Sequence, residues 1–315
     1  MAAMTPKLSD SFDKGHKLNG PGRPVMATII TADLDASLSA YTDALGYKVI
    51  KTGTLCEALA VHFGLETLTN HKMATLAPPS GAPVFLSFIE ALEAVPPVSP
   101  KAGWFALELC VQDVDVLYNR LTAGDSFTPF AKPMPLGFTD KVYPMQCRGP
   151  SGEILYLNEV RGNLPGLDMP IAECSVDHLF IAITSAPNMD TGVELYSQLL
   201  NMDIKERHEI PYKTINRVHG LPLQTLHKLV TLGGHNFVSL EVDQWPKDAD
   251  APDLKSKDIT EGIFMVSFSV DEISKASKSI KQFPKPPYNG AKSLIGFGPA
   301  GERVELISLN ESDTQ

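Results

Sequence analysis

Cysteine and tryptophan are both scarce, at 4 and 2 of 315 residues. Cys56, Cys110, Cys147 and Cys174 form no C-x-x-C pair. That excludes the usual zinc-ribbon and dithiol redox spacings and a disulfide framework, and it leaves a reducing cytoplasm as the expected setting. Cys110 lies in an apolar run and reads as a small buried hydrophobe. Positive charge is also in deficit, with 27 Lys and Arg against 37 Asp and Glu and a formal net charge of -10. A surface of that sign argues against nucleic acid and against anionic membranes as partners. No apolar run approaches the roughly 20 residues that span a bilayer. Residues 1–24 lack the apolar stretch of a signal peptide and read as a loose polar tail.

What the chain does have is length, an ordinary apolar content and an internal echo. At 315 residues, 43% of them hydrophobic and 20% charged, it is long enough for two soluble globular domains. Gly149-Pro-Ser-Gly-Glu-Ile-Leu-Tyr156-Leu157 recurs as Gly298-Pro-Ala-Gly-Glu-Arg-Val-Glu305-Leu306. The helical pattern Asp33 to Tyr41, followed by Leu45-Gly46, recurs as Thr191 to Tyr196, followed by Leu200-Asn201. Gly64-Leu65 through His71-Lys72 recurs as Gly220-Leu221 through His227-Lys228. A steady offset of this kind marks a duplication. Residues kept in both halves then read as structural, and residues polar in one half only are candidates for chemistry.

Each half divides again. Strand patterns at Met26–Ile30, Val84–Ile89, Trp104–Val111 and Phe264–Val270 are rich in β-branched and aromatic residues. Helices are predicted from Asp113 to Leu121 and from Asp271 to Ile280. One strand, one helix and a set of short strands thus recur near residues 25–90, 101–160, 174–243 and 262–309, with Pro-rich connections between them.

Four such β-α-β-β-β modules, with Leu-Gly after the first odd helix and Gly-Pro-x-Gly before the last strand of each even module, resemble the vicinal oxygen chelate superfamily. That superfamily holds glyoxalases, bleomycin-resistance proteins and extradiol dioxygenases. The resemblance covers about residues 25 to 310. It implies an α+β fold of two tandem domains with cupped mixed sheets, residues 25–161 and 174–310, joined by a linker at 162–173. It also implies four ligand positions per cup, on the first and last strands of each module. Spacing puts these at Met26, Ile89, Ala106 and Tyr156 in the first half, which hold no metal-binding set. In the second half they fall at His178, Glu241, Met265 and Glu305.

The resemblance therefore implies a divalent metal ion, such as Zn, Fe, Mn, Co or Ni, held by His178, Glu241 and Glu305. It further implies isomerase or lyase chemistry on a small carbonyl or oxyanion-forming substrate, with Glu241 or Glu305 moving a proton next to a metal-stabilised enolate. The alternatives are an extradiol-type dioxygenase, whose second histidine would fall at Met265, and a non-enzymatic small-molecule binder. Met265, Arg217, His235 and Tyr212 are the expected substrate contacts. Arg217 is suited to a carboxylate or phosphate, and His235 has no counterpart in the first half. His71 and His227 are kept in both halves and read as structural. Duplication within one chain supplies the pairing that single-domain relatives obtain by dimerising, so a monomer and a homodimer both remain open.

Overall fold

The computed structural model describes residues 20–96, 101–247, 249, 258–273, 281–283, 288 and 290–308. The first module comprises β1 (Pro24–Thr31), α1 (Leu34–Ser39), β2 (Lys48–Thr54), α2 (Glu57–Phe63), β3 (Lys72–Ala77) and β4 (Phe85–Glu90). The second comprises β5 (Gly103–Val111), α3 (Val114–Ala123), β6 (Thr128–Ala131), β7 (Val142–Arg148) and β8 (Ile154–Val160). The third comprises β9 (Val176–Ala186), α4 (Met189–Leu200), β10 (Asp203–Pro211), α5 (Lys213–Val218), β11 (Leu226–Gly233) and β12 (Leu240–Gln244). The fourth comprises β13 (Gly262–Val270), β14 (Lys281–Gln282), β15 (Lys292–Phe297) and β16 (Arg303–Ser308). The helix predicted over Asp271–Ile280 falls largely on residues outside the described set.

Local chemistry sets the helix starts. Asp33, Asp113 and Asn188 each turn a side-chain oxygen back to accept a backbone N–H three residues on. Such a cap stabilises by about 1 kcal/mol. The first module's helix runs past α1 into a π-helical turn over Ala40–Ala44 before Gly46 ends it in a left-handed conformation.

The modules pair crosswise. One sheet runs β14-β15-β16-β13-β1-β4-β3-β2, and the other β10-β11-β12-β9-β5-β8-β7-β6. The first sheet thus joins the first and fourth modules, and the second joins the second and third. The expectation that each half of the sequence builds its own cup is not met. The antiparallel seams β1–β13 and β5–β9 both cross between the halves. First strands of different modules carry the same pattern, so sequence alone leaves their partner open.

The helical faces of the two sheets merge into one core that includes Ile29, Tyr41, Phe88, Leu107, Leu157, Tyr196, Val242, Phe268 and Val304. Each such side chain contributes roughly 1.5–3 kcal/mol on burial, well above the 0–1 kcal/mol of the exposed ion pairs. Two equivalent clamps cross this core. The Tyr41 hydroxyl donates to Glu153 at 2.7 Å, and the Tyr196 hydroxyl donates to Glu302 at 2.5 Å. Both glutamates belong to the repeated Gly-Pro-x-Gly-Glu motif. A Cβ at Gly149 or Gly298 would overlap the carboxylate of Glu153 or Glu302, so these turns require glycine.

Candidate functional site

The outer face of each sheet is a cup covered by a short helix of its odd module. In the first sheet, Ala60 and Phe63 of α2 pack on Met26, Phe85, Ile89 and Met265. In the second, Ile215 of α5, with Tyr212 and Val218 at its ends, packs on Phe105, Ala106, Ile154, Phe180, Ile181 and Ile183.

Strand pairing identifies the equivalent floor positions. Thr28 lies level with Ser87, Ser267 with Glu305, Glu108 with Tyr156, and Ile183 with Glu241. Across the seams, Met26 pairs with Ser267 and Thr28 with Met265, while Ala106 pairs with Ile183 and Glu108 with Ile181. The first-sheet quartet is therefore Met26, Ser87, Met265 and Glu305. The second-sheet quartet is Ala106, Tyr156, Ile181 and Glu241. Ser87 occupies the place expected for Ile89, and Ile181 the place expected for His178.

The structure thus divides the expected ligand trio. Glu305 lies in the first sheet, whereas Glu241 and His178 lie in the second, and His178 is displaced three residues from the floor position. Each quartet offers one carboxylate and no imidazole. That donor set does not fit the divalent site implied by the resemblance, which draws several nitrogen or carboxylate ligands onto one ion. It also does not fit the two-histidine, one-carboxylate set of an extradiol dioxygenase.

The two cups differ in character. Glu305 is fully buried and satisfied, accepting from Ser267 at 2.5 Å, Ser293 at 2.6 Å and Tyr288 at 3.0 Å, with His62 Nε2 at 3.4 Å. Tyr288 and Phe283 pack with α2 over the same face, so this cup is filled by its own side chains. Met265 is fully buried among them. His62, absent from the expected site, bonds Ser293 at 2.7 Å.

The second cup keeps an accessible, acidic floor. Ile181 and Glu108 are buried, whereas Glu241, Tyr212 and Thr231 are only partly buried. Tyr212 donates to Glu241 Oε1 at 2.9 Å, and Asn158 donates to Glu108 Oε2 at 2.6 Å. Asp243, two residues along from Glu241, is completely buried, and neither of its carboxyl oxygens has a hydrogen bond of ordinary geometry. Glu241 lies near enough for the two carboxyls to influence each other's proton. Asn158 Oδ1 and Thr231 Oγ1 are also buried without a partner, and the buried Tyr156 hydroxyl has only Tyr212 and Thr214 beside it. Natural interiors leave few such groups; the first cup has two of its own, Thr28 Oγ1 and Ser87 Oγ, while those of the second cup gather around its acids.

Burial pushes Glu108 and Asp243 well above the usual carboxylate range, and the neighbouring acids add to it. Burial also raises Glu241, opposed by its hydrogen bond from Tyr212 and by His208. Tyr156 is pushed well up, by burial first, so its hydroxyl keeps its proton as a donor. Among the described residues no ion pair joins these three acids to a base. His208 stands at the rim, bound to Glu206 at 2.7 Å and stacked on the otherwise exposed Phe138.

The remaining expected residues fall elsewhere. Arg217 is exposed on α5, and His235 is exposed in the β11–β12 loop. His227 is buried against Asn216 at 2.6 Å, and His71 bonds the Glu90 carbonyl at 3.1 Å. Glu108, Asp243 and Asn158 were not singled out from sequence. The signal for Glu108 was its alternation with Ala106 and Cys110 on one strand face.

His178 sits beside Cys110 and Asp177 at the other end of the β5–β9 seam. Ligand atoms of these three side chains lie within 4.8 Å of one another, the only such trio among the described residues. No described helix is long and apolar enough to cross a membrane.

The Glyoxalase/Bleomycin resistance protein/Dioxygenase superfamily model matches residues 23–155. No curated protein matches the chain by sequence. Among solved structures, glyoxalase I from Zea mays is 16% identical, with a TM-score of 0.60 over 91% of this chain and 92% of that one. A putative dioxygenase from Bacillus subtilis is 10% identical, with a TM-score of 0.58 over 92% of this chain and 86% of that one. At these identities the likeness is one of fold. Residues 23–155 belong to the glyoxalase/bleomycin resistance/dioxygenase superfamily, and the whole chain carries its tandem α+β fold.

Proposed function

We propose that the chain is an isomerase or lyase of this superfamily that enolises a small carbonyl substrate in the cup of the second sheet, with hydrogen-bond donors in place of a Lewis-acid metal. One observation carries the reading: the buried Tyr156 hydroxyl, neighboured by Tyr212 and Thr214, stands level with Glu108 on a floor that also holds the partly exposed Glu241.

The roles follow from the surroundings of each group. Glu241 is the base, held in place by Tyr212 and raised toward the working pH, where general acid–base transfer is efficient. It takes the proton from the carbon beside the substrate carbonyl. The negative charge moves to the carbonyl oxygen, where the Tyr156 O–H and the neutral Glu108 carboxyl donate to it. A carboxylic acid kept protonated by burial, next to a tyrosine, is a known way to hold an oxyanion near neutral pH. In an α-hydroxycarbonyl substrate the hydroxyl proton passes to the former carbonyl oxygen within the enediolate, and Glu241 returns the carbon proton to the former carbonyl carbon, completing a 1,2-shift. Aromatic and aliphatic walls from Phe105, Phe180, Ile181 and Ile215 exclude water.

The test is exchange of α-carbon hydrogens with D2O in a panel of small hydroxyketones and ketoaldehydes, followed by proton NMR. Wild type should catalyse exchange. Glu241→Gln should abolish it, and Tyr156→Phe should slow it by roughly 10²–10³. Exchange that survives Glu241→Gln, or a wild type inert across the panel, would overturn the reading.

A further inference from the structure

We propose that Cys110, Asp177 and His178 bind a zinc-class divalent cation at the end of the β5–β9 seam, beside the second cup's floor but outside both floor quartets. This goes beyond the enolisation reading and does not depend on it.

The backbone assembles the trio. Leu109 pairs with Leu179 and Val111 with Val176, so Asp177 and His178 together oppose the single residue Cys110. This is a β-bulge, which re-aims side chains that a regular strand would send to opposite faces. As a result Asp177 and His178, adjacent in sequence, both reach the same point.

The spacing suits one ion. Zinc bonds sulfur at about 2.3 Å and nitrogen or oxygen at about 2.0–2.1 Å, so tetrahedral ligands sit roughly 3.5 Å apart for sulfur and nitrogen and roughly 3.3 Å for nitrogen and oxygen. Cys110 Sγ lies 3.7 Å from His178 Nδ1 and 3.9 Å from its Nε2, so the ring turns to bring Nδ1 onto the ion, and His178 Nδ1 lies 3.2 Å from Asp177 Oδ1. A thiolate, an imidazole and a carboxylate together favour zinc or cobalt over magnesium or calcium. All three residues are buried.

The carboxylate is supported from behind, as metal ligands usually are. Ser80 donates to Asp177 Oδ1 at 2.6 Å, and the Glu173 N–H donates to Oδ2 at 2.7 Å. The Cys110 S–H makes only a weak contact to the His178 carbonyl, at 3.5 Å. On metal binding that proton is released to solvent and the sulfur becomes a thiolate. Cys174 lies outside the trio, its S–H donating to the Val176 carbonyl at 3.1 Å, so the fourth position is left to water. The ion would pin the two central strands of the second sheet together, two residues along β5 from Glu108.

The experiment is elemental analysis of the full chain purified without chelators, followed by cobalt reconstitution and absorption spectroscopy. Stoichiometric zinc, and a thiolate-to-cobalt charge-transfer band with tetrahedral d–d bands, are expected. Cys110→Ser should remove the charge-transfer band. Ser80→Ala removes no ligand but takes away the hydrogen bond to Asp177 and should weaken cobalt binding roughly 10- to 100-fold, with circular dichroism confirming that it folds. Glu241→Gln and Glu305→Gln should leave metal content unchanged. A wild type that takes up neither zinc nor cobalt stoichiometrically would overturn the proposal. So would a charge-transfer band that persists in Cys110→Ser, or metal lost from the glutamate variants instead.

Discussion

Glu153 and Glu302 are repeated residues whose role is to join the sheets. Each carboxylate takes a tyrosine hydroxyl and a backbone N–H inside the shared core. Burial lifts Glu153 from 4.5 to about 7, opposed by the Tyr41 hydrogen bond. An acid with a raised folded-state pKa binds more protons folded than unfolded between those two values. Its contribution is therefore greatest below the window and is lost as pH rises through it, by on the order of 3 kcal/mol in full. Glu302, Glu108 and Asp243 shift in the same direction. Wild type should melt at lower temperature at about pH 8 than at about pH 5, and Glu153→Gln should flatten that slope. An unchanged slope in the variant would assign the effect to other groups. The floor was less legible than these clamps. The expected ligand position for His178 rested on three extra residues in a loop over Thr184–Thr191. The strand instead runs unbroken to Ala186, and the count from Tyr196 without an insertion lands on Ile181.

At the scale of elements, the turn before each final strand is the most sequence-determined feature. Gly-Pro-x-Gly-Glu encodes the glycine, the tight turn and the carboxylate that folds back over it. Gly149→Ala should destabilise by about 1–3 kcal/mol, since the added methyl meets Glu153. Urea denaturation measures this, and a loss below about 0.5 kcal/mol would show that the carboxylate is not seated there. The strands at Met26–Ile30, Trp104–Val111 and Phe264–Val270 were readable because β-branched and aromatic runs between turn residues leave little alternative. The β5–β9 bulge was not readable, because a bulge depends on the partner strand, which the local pattern does not name.

For the whole molecule, the merged core predicts one unfolding event. Residues of both sheets and of all four modules share it, so calorimetric and van't Hoff enthalpies should agree in a single transition. Two resolved transitions would mean that the sheets fold separately. The α+β class and the fourfold repeat were visible in the sequence. The crosswise pairing of the modules was not, since every first strand offers a similar apolar face to any other.

That pairing is the one two identical halves would adopt by exchanging modules. In such a symmetric pair the two cups would be copies, and any change in one would appear in the other. Fusion into one chain lifts this constraint. One cup has filled with Phe283, Tyr288 and α2 around a satisfied Glu305. The other keeps an accessible acidic floor around Glu241. The closed cup is free to act as scaffold, so under the proposed enolisation selection on substrate choice would act on the second cup alone.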